Sequence, residues 1–117
     1  MVTVRTHQWV EEFPGEITVC DSAGKILELN RNAAVSFRAQ GGKKLIGSNL
    51  MDCHPAPARS ILRRLMKNRQ TNVYTVTKGR TRDIVLQVPW YQRKKYRGFV
   101  EVSVKIRGNI PNVVRKP

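Results

Sequence analysis

Acidic residues are scarce in this sequence, and they are scarcest where the chain is most basic. Eight Asp and Glu stand against 22 Lys and Arg over 117 residues, for a formal charge of +14. From Met1 to His54, Arg5, Lys25, Arg31, Arg38, Lys43 and Lys44 balance Glu11, Glu12, Glu16, Asp21, Glu28 and Asp52. Beyond that point only Asp83 and Glu101 oppose the cations, so the second half carries the whole excess. Cysteine is scarcer still. Cys20 and Cys53 lack both a paired-thiol spacing and the density of a disulfide scaffold, which points to reduced thiols in a cytoplasmic protein. No apolar run approaches the ~18 residues of a membrane span. Arg5, Glu11 and Glu12 interrupt the start of the chain, where a signal peptide would need an apolar block. Membrane, secreted and disulfide-framework classes are therefore excluded.

What is present is enough for one core. At 40% hydrophobic the chain can fold as a single domain, and its apolar residues are periodic. Thr6 can cap a short helix bearing Trp9, Val10 and Phe13, which Pro14-Gly15 ends. Ile17–Cys20 and Lys25–Leu29 read as a hairpin across Asp21-Ser22-Ala23-Gly24, where Asp bonds the backbone and Gly accepts positive φ. Asn30 caps a short helix through Phe37, Gly41-Gly42 breaks it, and irregular helical turns run to Met51. A longer helix starts at Pro55 or Pro57, since proline suits a first turn, and Asn68 closes it. Ala58, Ile61, Leu62, Leu65 and Met66 form its apolar stripe, opposite Arg59, Arg63, Arg64 and Lys67. Three strands follow, at Val73–Lys78, through Ile84, Leu86, Val88 and Trp90, and through Val100, Val102, Val104 and Ile106. Alternation assigns these apolar residues to the core and Glu101, Ser103 and Lys105 to the wet face. Pro89 belongs at an edge or a bulge.

The class is α+β. The order of elements resembles that of a PAS domain, a five-stranded antiparallel sheet with short helices and one longer helix between strands 2 and 3. Ile17-Thr18-Val19-Cys20-Asp21-Ser22-Ala23-Gly24-Lys25-Ile26 resembles the family's opening hairpin. Asn30-Arg31-Asn32-Ala33-Ala34 resembles its Asn-x-x-Ala helix start. Leu45-Ile46-Gly47-Ser48-Asn49-Leu50 and Asp52-Cys53-His54-Pro55 resemble the turns that lead into its longer helix, and Tyr96-Arg97-Gly98-Phe99-Val100-Glu101-Val102 resembles its last strand. The resemblance covers roughly residues 15–107, with an N-terminal helical segment at 1–14 and a C-terminal tail at 108–117. The chain departs from the family at its end, because Lys105-Ile106-Arg107-Gly108-Asn109-Ile110-Pro111 lacks the Asp-Ile-Thr that leads to an output helix.

The resemblance implies a non-enzymatic sensory or protein-interaction module in signal transduction, with room for a small ligand between sheet and helices. It also implies a homodimer made through the sheet's outer face and the N-terminal helix, with Trp9, Val10 and Phe13 as contacts. The pocket candidates are His54, Ile61 and Leu65, facing Ile84, Leu86, Val88 and Trp90. The cofactor is unknown. Haem held by His54 is weighed against a plain role for that histidine at the helix start, and the plain role is preferred. Flavin photochemistry needs an Asn-Cys-Arg-Phe segment that neither cysteine has. Cys53-His54 lacks an orienting third group for nucleophilic catalysis, the Cys and His spacing suits no metal, and Gly41-Gly42-Lys43-Lys44 lacks phosphate-loop spacing and reads as a solvated loop.

The basic residues carry the alternative reading. Arg59, Arg63, Arg64 and Lys67 line one helix face, and Arg93, Lys94, Lys95 and Arg97 interleave with Trp90, Tyr91 and Tyr96 in a cationic hairpin. Cations with aromatics suit nucleic acid or another polyanion, and an acidic protein partner would suit the same surface.

Overall fold

The computed structural model describes residues 8–117. The Thr6 cap lies outside these residues, as does the Cys53 side chain. Helix α1 (Gln8–Glu11) precedes strands β1 (Glu16–Asp21) and β2 (Ile26–Leu29). Helix α2 (Arg31–Ser36), three 3-10 turns (Arg38–Gln40, Gly42–Leu45, Leu50–Cys53) and helix α3 (Ala56–Asn68) follow. Strands β3 (Asn72–Lys78), β4 (Thr81–Gln92) and β5 (Lys95–Ile106) complete the order. The five strands pair antiparallel in the order β2-β1-β5-β4-β3, so the first and last parts of the chain meet at the centre of the sheet.

The local chemistry explains the joints. The β1–β2 turn closes as its sequence demands: Asp21 Oδ1 accepts from Ala23 and Lys25 main-chain N–H groups, each at 2.9 Å. Asn30, fully buried, caps α2 through Ala33 N–H at 3.0 Å. Its side chain does more than cap. The same Oδ1 accepts from Ile17 N–H at 3.0 Å, while Nδ2 donates to the carbonyls of Val10 (3.0 Å) and Gly15 (2.9 Å). One amide thus ties α1, β1 and α2 together, with both donors and the acceptor oxygen satisfied. The Gly41–Lys44 segment is also part of the frame and not a solvated loop, since Gly42 is buried and Lys43 bonds both Glu11 (3.0 Å) and the Leu29 carbonyl.

Helix α3 has Pro55 as its N-cap and ends at Arg69, which takes the left-handed conformation. Leu62 and Met66 (i, i+4) enter the core with Cys20, Ile26, Leu29, Ala33, Leu50 and Phe99, each of the Leu, Ile, Met and Phe side chains contributing about 1.5–3 kcal/mol. Ile61 does not join them. It is 52% exposed, because one residue of helical advance swings it about 100° from the Leu62–Met66 ridge. Pro89 sits on β4 beyond Gln87, where pairing with β3 stops, so no neighbour on that side needs an N–H from it.

Strand phase departs from the sequence expectation. Phe99 and its partner Cys20 are buried in the helix-covered core, and Pro89 pairs with Phe99. Two residues along, Thr18, Glu101 and Gln87 pair across the same three strands and share that inner face. Ile84, Leu86, Val88 and Trp90 therefore alternate onto the outer face, opposite Val104, Val102, Val100 and Gly98. The periodicity of two is real, but periodicity cannot tell which of two faces the helices cover.

Candidate functional site

A cavity of about 70 Å³ lies between the inner sheet face and the helical layer. Cys20, Ile26, Leu29, Phe37, Leu45, Leu50, Leu62 and Phe99 make it largely apolar, and Thr18, Gln87, Glu101 and His54 are its polar members. The polar groups come in order. Asn72 Nδ2 donates to Gln87 Oε1 at 3.0 Å, and Gln87 Nε2 donates to Glu101 Oε1 at 2.8 Å. This relay fixes the Gln87 amide and presents the carboxylate of Glu101 at the wall.

His54 is placed by the turn before α3. Its Nδ1 lies 2.7 Å from the Leu50 carbonyl oxygen, which can only accept, so Nδ1 is the donor of this contact. Arg59 Nη2 donates to the His54 carbonyl at 3.1 Å and holds the same turn to α3. Cys20 is a free, buried thiol. Burial pushes its pKa above the ordinary 9.0, the negative charges of Asp21 and Glu101 push the same way, and a main-chain hydrogen bond at Phe99 opposes them. Burial, with the charge of Glu101, likewise raises Tyr74.

Of the pocket candidates from sequence, only His54 lines this cavity. Leu65 packs beside the core, Ile61 is exposed, and the four strand residues lie on the outer face. Thr18, Gln87 and Glu101 were missed because polar residues on a strand read as its wet side. The signal that could have found them is Phe99, whose parity puts Glu101 inward. At about 70 Å³ the cavity is several-fold smaller than the ~300–1,000 Å³ of cofactor pockets. Neither haem nor flavin fits it.

The basic candidates separate into groups. Arg63 and Lys67 join Arg69 and Tyr96 along an open groove beside α3. Arg93 and Lys94 form the turn between Gln92 and Lys95. Lys95 and Arg97 are exposed on β5, Arg97 at the bulge left unpaired between Tyr96 and Gly98, and Arg64 is exposed outside the groove. Among the contact candidates, Val10 is buried within the chain's own fold, whereas Trp9 is 66% exposed and stacks edge-on against Phe13 at 6.2 Å. No helix among the described residues is long and apolar enough to cross a membrane.

No protein-family model matches the sequence, and no curated protein matches it. Solved structures do. The PAS domain of histidine kinase ThkA superposes with a TM-score of 0.62 at 17% identity, covering 77% of this chain and 98% of that one. The Aer2 receptor of Vibrio cholerae, described as a dual PAS-heme oxygen sensor, gives 0.54 at 20% identity over 80% and 95%. The PAS domain of an HTR-like protein from Haloarcula marismortui gives 0.58 at 16% identity over 84% and 86%. At these identities the likeness speaks for architecture, and with the strand order and inter-strand helices it leads to one conclusion: this chain has the PAS fold.

Proposed function

We propose that this protein is a non-enzymatic sensory and protein-interaction module, with residues 15–107 as its working unit. The observation that carries the reading is a sheet with two apolar faces. One is closed by helices over a small cavity with a polar wall. The other, along Ile84, Leu86, Val88, Val100, Val102 and Val104, is only half-buried among the described residues.

The cavity suits a solute of a few heavy atoms, since a dry cavity of ~150 Å³ is what benzene requires. The carboxylate of Glu101 favours a solute that donates hydrogen bonds. The outer face suits a second copy of this chain. A two-fold interface places the same stripe against itself, apolar against apolar, and Trp9 and Phe13 extend the contact.

Light scattering of the purified protein tests the assembly, with a dimer expected at micromolar concentration. Val102→Glu should give a folded monomer, while Arg63→Ala with Lys67→Ala should leave the dimer intact. A wild-type chain that stays monomeric at high concentration sinks the dimer. For the cavity, small amines and alcohols should raise the melting temperature, and Glu101→Leu should abolish the response. No shift with any of them removes the ligand reading.

A further inference from the structure

Three described residues other than glycine hold a left-handed backbone: Arg69 (φ 53°), Arg93 (φ 51°) and Lys94 (φ 66°). All three are cations. Arg93 and Lys94 are the two central residues of the β4–β5 turn, between the paired Gln92 and Lys95. Positive φ at both positions is the setting for Asn-Gly, because a Cβ there crowds the backbone. Arg69 stands just after α3, where Gly is the common choice. The chain accepts strain at each position and displays charge there, and strain of this kind concentrates at working surfaces.

Arg69 lies against a pair of aromatic rings. The Arg69 guanidinium carbon lies 4.8 Å from the Tyr96 ring centroid, Tyr96 meets Tyr91 edge-on at 6.2 Å, and Tyr91 is 51% exposed. Beside them runs an open groove of about 590 Å³ with Arg63, Lys67 and Arg69 on its walls and Asp52 as its acidic member. We propose that this groove and the adjoining turn bind single-stranded nucleic acid. The cations extend from the groove to the hairpin tip, further than one phosphate can use. The exposed Tyr91 offers a ring on which an unpaired base can stack, which a duplex or an acidic peptide cannot exploit. This proposal is independent of the sensory reading.

The test is fluorescence anisotropy with labelled oligothymidylate and oligouridylate of about 15 nucleotides. Binding is expected at low salt and should weaken steeply as salt rises. Arg93→Asn with Lys94→Gly should raise the melting temperature, because the left-handed turn is relieved. The same change should weaken binding and lower the slope of log affinity against log salt by about 1.4, two phosphate contacts at about 0.7 each. Tyr91→Ala, at an exposed site, should weaken binding about tenfold. The proposal is overturned by no binding at low salt, or by a turn variant that gains stability and binds as before. It is equally overturned if duplex DNA or polyglutamate competes as well as the single strand, which would mark a surface for any polyanion or an acidic protein.

Discussion

The indole Nε1 of Trp90 donates to the main-chain carbonyl oxygen of Cys20 at 3.0 Å, although the two residues lie on strands that do not touch. Strand β5 runs between them, and its residue at the crossing is Gly98, paired with Trp90 on one side and Asp21 on the other. A Cβ on Gly98 would stand 2.0 Å from the Cys20 oxygen and 2.7 Å from the Asp21 carbonyl carbon, at φ 150°. The glycine is thus required by the close approach of backbone to backbone as well as by its dihedral angle.

Gly98→Ala should therefore cost about 3 kcal/mol or more, because the clash is with main chain that cannot rotate away. Trp90→Phe keeps an aromatic side chain but removes the donor and part of the ring, for a loss of about 1–2 kcal/mol or more. Urea denaturation measures both. A Gly98→Ala protein as stable as wild type would refute the account of the crossing.

Asn30 makes a second prediction. Replacing it by Leu leaves the Val10 and Gly15 carbonyls and the Ile17 and Ala33 N–H groups without their side-chain partner. A loss of about 3–4 kcal/mol is expected. Asn30→Asp turns two donors into a carboxylate oxygen facing two carbonyls, so burial should raise its pKa in the folded state. Its destabilisation should be greatest at neutral pH and shrink as pH falls through that raised pKa. Melting temperatures at neutral and mildly acidic pH separate this from a simple packing defect, which would not respond to acid.

Cys20 gives a dependence of the same sign at alkaline pH. Its pKa is raised above 9.0 on folding, chiefly by burial, so the folded chain holds the thiol proton more tightly than the unfolded one. That contribution to stability is fully present below the unfolded value and is lost as pH rises from about 9 through the folded value. Tyr96 and Tyr74 are raised from 10.0 mainly by burial as well, and add to the same alkaline decline. In a Cys53→Ser background, Cys20→Ala should flatten the first part of the fall in melting temperature. An unchanged profile would show that the thiol does not contribute.

Much of the architecture was legible in residue patterns. Asp21 with Gly24, Asn30 at its helix start, and the Pro55 entry to α3 each carry local chemistry that acts wherever the chain goes. The inner wall of the cavity was not legible. Gln87 and Glu101 alternate with valines and leucines, and along one strand such alternation marks two faces without naming them. The basic residues were visible as a set, but their division among the groove, the tip and the bulged start of β5 depends on a turn whose register is fixed only by pairing.

The sequence alone therefore determined the order of elements, the turns and the half of the chain that carries the charge, because caps, turns and charge act between neighbours. The tertiary structure decided the rest. Burial of Phe99 against Cys20, Leu62 and Met66 set the phase of β5, turned Glu101 inward and left the apolar stripe outside. That choice depends on which face the helices bury, and burial is a property of the whole fold.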